Sequence, residues 1–285
     1  MRESAAKPAP SAAISWTDAQ PLFAAPCFDV LRTHLEQLDA AHWPSVAALN
    51  KLADARGLKN LAGMPVRFVA PAEDEPAALH YETRIAHSGE VATREIWHDL
   101  FNGLQWLSFP QTKAVISARH AQLLATRGEH ESKLRSVPRD VLTLFDEGGI
   151  IICSPDDSLL ELVRNFKWRE LFVERRAEVM ANMRFHLAGH SVLEKMLAPF
   201  IGITAKAMLF KVDAPMMTQS VATQIAHLDA HAAQWLYGDI NLAATRNLHP
   251  VPILGVPGWD ARNDDAAFYG DTHYFRSGYT RDLKR

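Results

Sequence analysis

The order of strand-like and helix-like patterns along the chain is the feature that most limits its fold. Short strand-like runs at 66–69, 79–85 and 205–212 lie among long stretches in which apolar residues recur at helical spacing. A doubly wound parallel sheet requires strands and helices in regular alternation, which this chain lacks. The pattern therefore predicts an α+β protein dominated by helix, with a small sheet.

A further pair of strands is predicted at residues 141–153, which read VLTLFDEGGIIIC. Two apolar runs flank the four residues DEGG, a composition that is typical of a turn. We therefore expect a β-hairpin with Asp146 and Glu147 in its turn.

Proline, glycine and capping residues mark the ends of the predicted helices. A helix after Pro44 is expected to stop at Gly57, because proline suits the first helical turn and glycine the carboxyl end. Ser154 or Asp156 is a candidate cap for a later helix. Other helical patterns cover 28–38, 112–125 and 220–236, and one long pattern, with or without an interruption, covers 168–197.

Composition divides the chain into an arm and a single domain. Residues 1–24 are rich in Ala, Pro and Ser and show little periodicity, which predicts a loose N-terminal arm. Residues 25–285 contain neither an internal repeat nor a linker, so one globular domain is expected. From Pro250 onward, Pro and Gly recur often, and we expect this stretch to wrap the body in extended form.

Charge and cysteine content exclude several classes of protein. The 30 basic and 33 acidic residues give a formal charge of −3, which provides no surface for nucleic acid or an anionic membrane. Cys27 and Cys153 are too few and too far apart for a disulfide framework or a CxxC site, so the cytoplasm is the expected location. The N-terminus has no apolar core of a secretory signal, and no segment has the roughly 20 apolar residues of a membrane span. A soluble protein is expected.

The densest group of polar and ionisable residues lies on a predicted helix over 93–109. Thr93 would cap this helix and Pro110 would end it. His98 and Asn102 are four residues apart and share a face that is separate from the apolar one, with Asp99 at its flank. An imidazole and a carboxamide or carboxylate at this spacing can reach one metal ion or one substrate. A solvated helix face is the alternative.

A second candidate site is the sequence RFHLAGHSVLEK, within the long helical pattern. His190 would lie on the apolar stripe of that helix, with Glu194 one turn later and His186 at the edge. A buried carboxylate needs a partner, so Glu194 is expected to meet a metal, a basic side chain or a histidine. A satisfied His–Glu pair in the core is the alternative.

Asp146 and Glu147 are candidates for a general-base pair or for metal ligands, although turn chemistry alone also explains them. His227 and His231 flank the apolar stripe of their helix, and an exposed face is expected for them. The sequence has no HExxH, P-loop or GxGxxG motif. A serine hydrolase is excluded because Leu193 stands where a nucleophile elbow requires glycine.

Four runs taken together resemble an uncharacterised bacterial family, the domain of unknown function 3025. They are TREIWHDLFNGLQWLSFPQTKAVISARH, RDVLTLFDEGG, AGHSVLEK and PILGVPGW with FYGDTHYFR, and they cover most of the chain from Tyr81 onward. The resemblance implies one domain and a bacterial origin, but no activity, cofactor or partner. It implies a shared pattern that includes His98, Asp99, Asn102, Lys113, His120, Asp146, Glu147, His190 and Glu194. Ser117 departs from the asparagine usual there, and His186, His227 and His231 lie outside the pattern.

The leading hypothesis is a metal-dependent enzyme of hydrolase type with an unidentified small-molecule ligand. The expected ligands come from separate helices, and they are His98, Asp99, Asn102, His120, His190 and Glu194. Asp146 or Glu147 would act as general base on a metal-bound water. Mixed nitrogen and oxygen ligands favour Zn, Mn or Fe. The alternatives are a non-catalytic binding or interaction protein with a buried hydrogen-bond network, and a metal-free enzyme with a His/carboxylate pair.

Overall fold

Helices make up most of the structure, and two small sheets complete it, as the sequence predicts for a helix-dominated α+β protein. The computed structural model describes residues 14–71, 81–126 and 136–278. Its α-helices in these ranges are α1 (Trp16–Ala19), α2 (Arg32–Leu35), α3 (Val46–Arg56), α4 (Tyr81–Ser88), α5 (Trp97–Ser108), α6 (Pro110–Ala125), α7 (Val137–Gly148), α8 (Asp157–Arg164), α9 (Arg176–Asn182), α10 (His190–Lys195), α11 (Val221–Tyr237) and α12 (Asp239–Leu242). Its strands are β1 (Arg67–Val69), β2 (Glu90–Ala92), β3 (Gly149–Ser154), β4 (Arg184–Leu187), β5 (Thr204–Lys211) and β6 (His249–Pro252).

The larger sheet has the strand order β4-β3-β5-β6. Strand β3 runs antiparallel to β4 and parallel to β5, and β6 runs antiparallel to β5 at the edge. Every residue of β3 is buried, which explains its continuous apolar run Ile150–Cys153. The smaller sheet is the parallel pair β1 and β2. The strands predicted at 66–69 and 205–212 correspond to β1 and β5.

The predicted β-hairpin at 141–153 is wrong, because its first half is the helix α7. Val141, Leu142 and Phe145 bury one face of that helix, and Pro138 occupies its first turn, where proline is tolerated. The helix continues through the expected turn and passes directly into β3. The partners of β3 are the distant strands β4 and β5, so its pairing is not visible in the local pattern.

Two other local patterns gave the wrong element. The strand predicted at 79–85 is replaced from Tyr81 by the helix α4, which buries Ile85 and packs against α6; residues 79 and 80 lie outside the described part of the chain. The long helix predicted over 168–197 is divided into a π-helical turn (Glu170–Glu174), α9, β4 and α10. Pairing of β4 with β3 outweighs the helical periodicity there.

Residues 14–24 are packed against the body, so this part of the predicted loose arm is wrong. Trp16 and Phe23 are 5% and 6% exposed and join the core. The indole nitrogen of Trp16 donates to Asp39 O (2.9 Å), and that of Trp97 donates to Ile14 O (2.9 Å). Burial of these large aromatic side chains outweighs the polar, proline-rich composition of the segment. Residues 1–13 are outside the described residues.

Several predicted boundaries are confirmed. Gly57 ends α3 in the left-handed conformation, with φ +59°, and the Asp156 carboxylate caps α8.

After β6, the C-terminal stretch forms short 3-10 turns, not the extended wrap expected, and buries Tyr269 and Tyr274. Among the described residues, no helix is both long and apolar enough to cross a membrane.

Candidate metal centre

The antiparallel pairing of β3 and β4 brings two distant turns together. Ile150 near the start of β3 is opposite Leu187 at the end of β4, so the end of α7 and the start of α10 meet at one edge of the sheet. The amides of Ala188 and Gly189 both donate to Gly149 O, each at 2.9 Å. The residues just before β3 and just after β4 are therefore neighbours, although about 40 positions separate them in the chain.

Gly189 allows this close approach. A Cβ atom at this position would lie 2.4 Å from Gly149 N and 2.6 Å from both Glu147 O and Gly148 N. Real Cβ contacts are essentially never this short, so a side chain would force the two turns apart. The glycine thus serves to bring His190 against the end of α7.

Helix α5 supplies the third part of the site. It begins at Trp97 and not at Thr93, whose predicted capping role is wrong because its hydroxyl donates to Val91 O. Gln105 Nε2 donates to Leu187 O (3.1 Å), which ties α5 to the end of β4. His98 in the first turn of α5 then faces α10 across this joint.

His98, Glu147 and His190 form a group that could hold a metal ion. Their ligand atoms all lie within 4.8 Å of one another. The two Nε2 atoms are 3.1 Å apart, and His190 Nε2 is 3.7 Å from Glu147 Oε1. Two imidazole nitrogens bound to one ion at about 2.0–2.1 Å in tetrahedral geometry lie about 3.3 Å apart. The observed separation is close to that value.

The opposite nitrogens of both imidazoles face carboxylates. His98 Nδ1 lies 3.3 Å from Glu194 Oε2, and this hydrogen bond raises the pKa of His98. His190 Nδ1 lies 3.6 Å from Asp146 Oδ2. Burial lowers the pKa of His190 to about 4, so its ring is neutral at pH 7. A neutral ring that carries its proton on Nδ1 presents the lone pair of Nε2.

A buried lysine neutralises Asp146. Lys113 Nζ donates to Asp146 Oδ1 (2.5 Å) and to Asn102 Oδ1 (2.7 Å), and Asn102 Nδ2 donates to Tyr81 Oη (2.9 Å). Burial acts to raise the pKa of Asp146, but the charge and hydrogen bond of Lys113 oppose it, and the pKa of Asp146 lies below its usual value. Asp146 is therefore an ionised carboxylate fixed in position behind His190.

The structure brings only part of the predicted ligand set together. Glu147, expected as a general base, lies in the group, and Glu194 contacts His98 from behind. The remaining three predicted ligands lie outside the group: Asp99 accepts two hydrogen bonds from the Arg94 side chain, Asn102 binds Lys113 and Tyr81, and His120 is buried on α6. The helical wheel placed Asp99 and Asn102 near His98, but spacing alone does not show which atoms face outward.

A cavity of about 480 Å³ opens beside the group. It is lined by His98, Glu147, His190 and Asp146 together with Tyr81, Glu82, Arg84, Arg94, Asp99 and Asn102. Sequence reasoning missed Tyr81, Glu82 and Arg94 as site residues. Tyr81 and Glu82 lie on α4, where the sequence predicted a strand over 79–85 instead. No motif in the sequence pointed to Arg94.

The other histidines singled out in the sequence lie elsewhere. His227 is exposed, as expected, whereas His231 is half-buried, with its Nδ1 2.9 Å from His227 O. His186 is buried in β4 with its pKa lowered to about 4 by burial. None of these three belongs to the group of His98, Glu147 and His190.

Comparison with known proteins agrees with the resemblance seen in the sequence. The family described as "Protein of unknown function (DUF3025)" matches residues 66–279, well over half of the chain. The chain belongs to the DUF3025 family. The match contains all three residues of the candidate metal centre and both carboxylates behind its histidines. No curated protein and no solved structure matches the chain.

Proposed function

We propose that this DUF3025 protein is a metal-dependent enzyme of hydrolase type, with His98, Glu147 and His190 as the ligands of a divalent ion. The orientation of the two imidazoles carries the proposal. Their Nε2 atoms converge, 3.1 Å apart and beside a Glu147 oxygen, while both Nδ1 atoms face the carboxylates of Glu194 and Asp146. Metal-bound histidines in proteins typically direct their second ring nitrogen at such a partner, which sets the tautomer and raises ligand basicity.

The donor set suits a catalytic ion. Two imidazole nitrogens and one carboxylate oxygen are the ligand types of known hydrolytic zinc sites, in which a further position takes water or substrate. When bound, such an ion polarises the substrate and lowers the pKa of water to about 7. Mixed nitrogen and oxygen donors favour Zn, Mn or Fe over Mg and Ca, which bind oxygen.

The surroundings favour a small molecule as the ligand. A cavity of about 480 Å³ adjoins the proposed ion and falls in the range usual for small-molecule sites. Its walls offer hydrogen-bonding groups, among them the Tyr81 hydroxyl and the Arg94 guanidinium, which Asp99 holds in place. A net charge of −3 provides no counterpart for nucleic acid.

A non-catalytic interaction protein is the second candidate, and the hydrogen bonds of Lys113 favour it. Its ammonium group joins Asn102 and Asp146, and with them α5, α6 and α7, into one buried network. In this case the contact between His98 and His190 is a hydrogen bond between opposite tautomers that extends the network.

Metal analysis of protein purified without a histidine tag tests the proposal. We expect a first-row divalent ion in the isolated protein, or a gain in melting temperature when the apo protein receives Zn²⁺, Mn²⁺ or Fe²⁺. At 100 times Kd the gain in unfolding free energy is about 2.7 kcal/mol. His98→Ala should abolish this gain, whereas His231→Ala, which removes a histidine from the surface of α11, should retain it.

The His190→Ala variant separates the two candidates. If His190 is a ligand, the variant loses the ion but melts close to the apo wild type. If His190 only supports the network, the variant leaves buried groups unpaired, at about 1–3 kcal/mol each, and melts lower in any buffer. Such destabilisation, beside a wild type that is metal-free and indifferent to added metal, would refute the enzyme and favour the network.

A further inference from the structure

One carboxyl group in the cavity remains without a role once the metal centre is assigned. The other carboxylates near the cavity each have a partner. Asp99 pairs with Arg94, Asp146 with Lys113 and Glu194 with His98. Glu147 belongs to the group that could hold the metal ion. Glu82 lines the same cavity. It forms no ion pair with any residue in the described ranges. Glu82 therefore borders the space in which a molecule would bind beside the proposed ion.

The position of Glu82 suits proton transfer. Glu82 is the second residue of α4, and Ser117 on the adjacent helix α6 hydrogen-bonds to its carboxyl group. The charged groups that face it are Lys113 on α6 and Asp146 and Glu147 at the end of α7. Burial and the negative charge of Asp146 raise the pKa of Glu82 to about 7, against the opposing effect of Lys113. A carboxyl group of this kind exchanges protons at neutral pH.

The two carboxylates expected from the sequence to act as general base are unsuited to the role. Lys113 donates to Asp146 at 2.5 Å and keeps that carboxylate ionised with a lowered pKa, which makes it a poor proton acceptor. Glu147 is a proposed ligand, and the positive charge of a bound ion would make its carboxylate a weaker base.

We propose that Glu82 is the general base of this enzyme, an inference that rests on the proposed function. The attacking water gives a proton to the Glu82 carboxylate as one O–H bond breaks. The water oxygen forms a bond to the electrophilic carbon or phosphorus of the substrate, and the bond to the leaving group breaks. The proton then passes from Glu82 to the leaving group, so that the reaction consumes only water.

The experiment is an NMR titration of side-chain carboxyl groups in ¹³C-glutamate-labelled full-length protein, apo and loaded with Zn²⁺. Loss of one resonance in Glu82→Gln assigns Glu82, and Glu82→Asp, which retains a carboxyl group, is the second variant. We expect bound Zn²⁺ to lower the titration midpoint of Glu82 by at least about one pH unit, since an opposite charge within about 4–6 Å has an effect of this size. Glu90→Gln, which changes an exposed carboxyl group on β2, is the matched control and should leave the shift intact.

Three outcomes would overturn the proposal in different ways. A Glu82 midpoint that bound Zn²⁺ leaves unchanged shows that this carboxyl group does not face the ion, and the metal centre itself still stands. A loss of Zn²⁺ affinity of more than about 100-fold in Glu82→Gln shows that Glu82 is a ligand and not a base. Failure of Zn²⁺, Mn²⁺ and Fe²⁺ to bind the wild type overturns the proposed function, and the role of Glu82 with it.

Discussion

Substitution of Gly189 by alanine tests whether the close approach of the two turns is what assembles the proposed metal centre. The glycine lies between β4 and α10 and directly precedes His190. An alanine there changes no polar group and adds a single methyl. Any effect on metal binding must therefore arise from a change in position of the neighbouring residues.

The size of the effect follows from the distances around the missing side chain. The added Cβ would lie 2.4 Å from Gly149 N and 2.6 Å from Glu147 O. These are backbone atoms, so no rotamer change relieves the overlap, and an ordinary contact of about 3.4 Å requires a displacement of about 1 Å. Overpacking of this kind costs about 1–3 kcal/mol of unfolding free energy. Since metal ligands need positions accurate to about 0.2 Å, we expect Zn²⁺ affinity to fall at least tenfold.

Gly148→Ala provides a matched control one residue from the contact. No atom lies within 4 Å of a Cβ built at Gly148, and the residue lacks a positive φ. That variant should bind Zn²⁺ like the wild type and unfold within about 1 kcal/mol of it. Urea denaturation of the apo proteins and calorimetric titration with Zn²⁺ measure both quantities. A Gly189→Ala protein that equals Gly148→Ala in stability and in Zn²⁺ affinity would refute the argument.

Three further predictions concern stability. Lys113→Met should cost about 3–5 kcal/mol because it leaves the buried Asp146 carboxylate unpaired, and adding Asp146→Asn should recover part of that loss in a double-mutant cycle by urea denaturation. Burial lowers the pKa values of His34 and His186 to about 4, so the unfolded chain binds more protons between pH 6.5 and 4. Each imidazole should thus remove up to about 2 kcal/mol of unfolding free energy from pH 7 to pH 5, and an unchanged slope of stability against pH in His34→Gln would contradict this. Trp16→Ala should lower stability by about 3–5 kcal/mol, whereas a loose arm would make it neutral.

The sequence predicts the end of a helix correctly where residues next to that end determine it. Gly57 terminates α3 because its backbone adopts the left-handed conformation, which glycine takes without steric cost. Asp156 caps α8 by accepting the amide hydrogen of Ser158. Both signals lie within a few residues of the structure that they specify, so the sequence alone is sufficient to read them.

Elements that depend on distant partners were not predictable in this way. The segment that became β4 has helical periodicity, and it is a strand because residues such as His186 pair with Ile151 in β3. The segment before β3 contains the turn-like residues DEGG, and it is the end of a helix because Val141 and Phe145 bury one face against the core. Short apolar runs fit helix and strand equally well, and tertiary contacts decide between them.

In the candidate site, the sequence predicts the types of residue but not their positions in space. His98, Glu147 and His190 are all candidates by their chemistry, but the predicted hairpin turn placed Glu147 in the wrong element of secondary structure. As the penultimate residue of α7 it instead lies at the joint with β4, where the register of Ile150 with Leu187 brings it to His190.

Close packing explains two of the glycines beside this contact, Gly149 and Gly189. In the sequence, Gly148 and Gly149 fit the predicted turn, and Gly189 falls within the predicted long helix over 168–197. Gly149 and Gly189 lack a positive φ, so neither is needed for an unusual backbone conformation. An added Cβ would lie 2.4 Å from Phe145 O at Gly149 and 2.4 Å from Gly149 N at Gly189. Gly189 therefore permits the contact between two distant segments, and that contact brings the acidic end of α7 to His190.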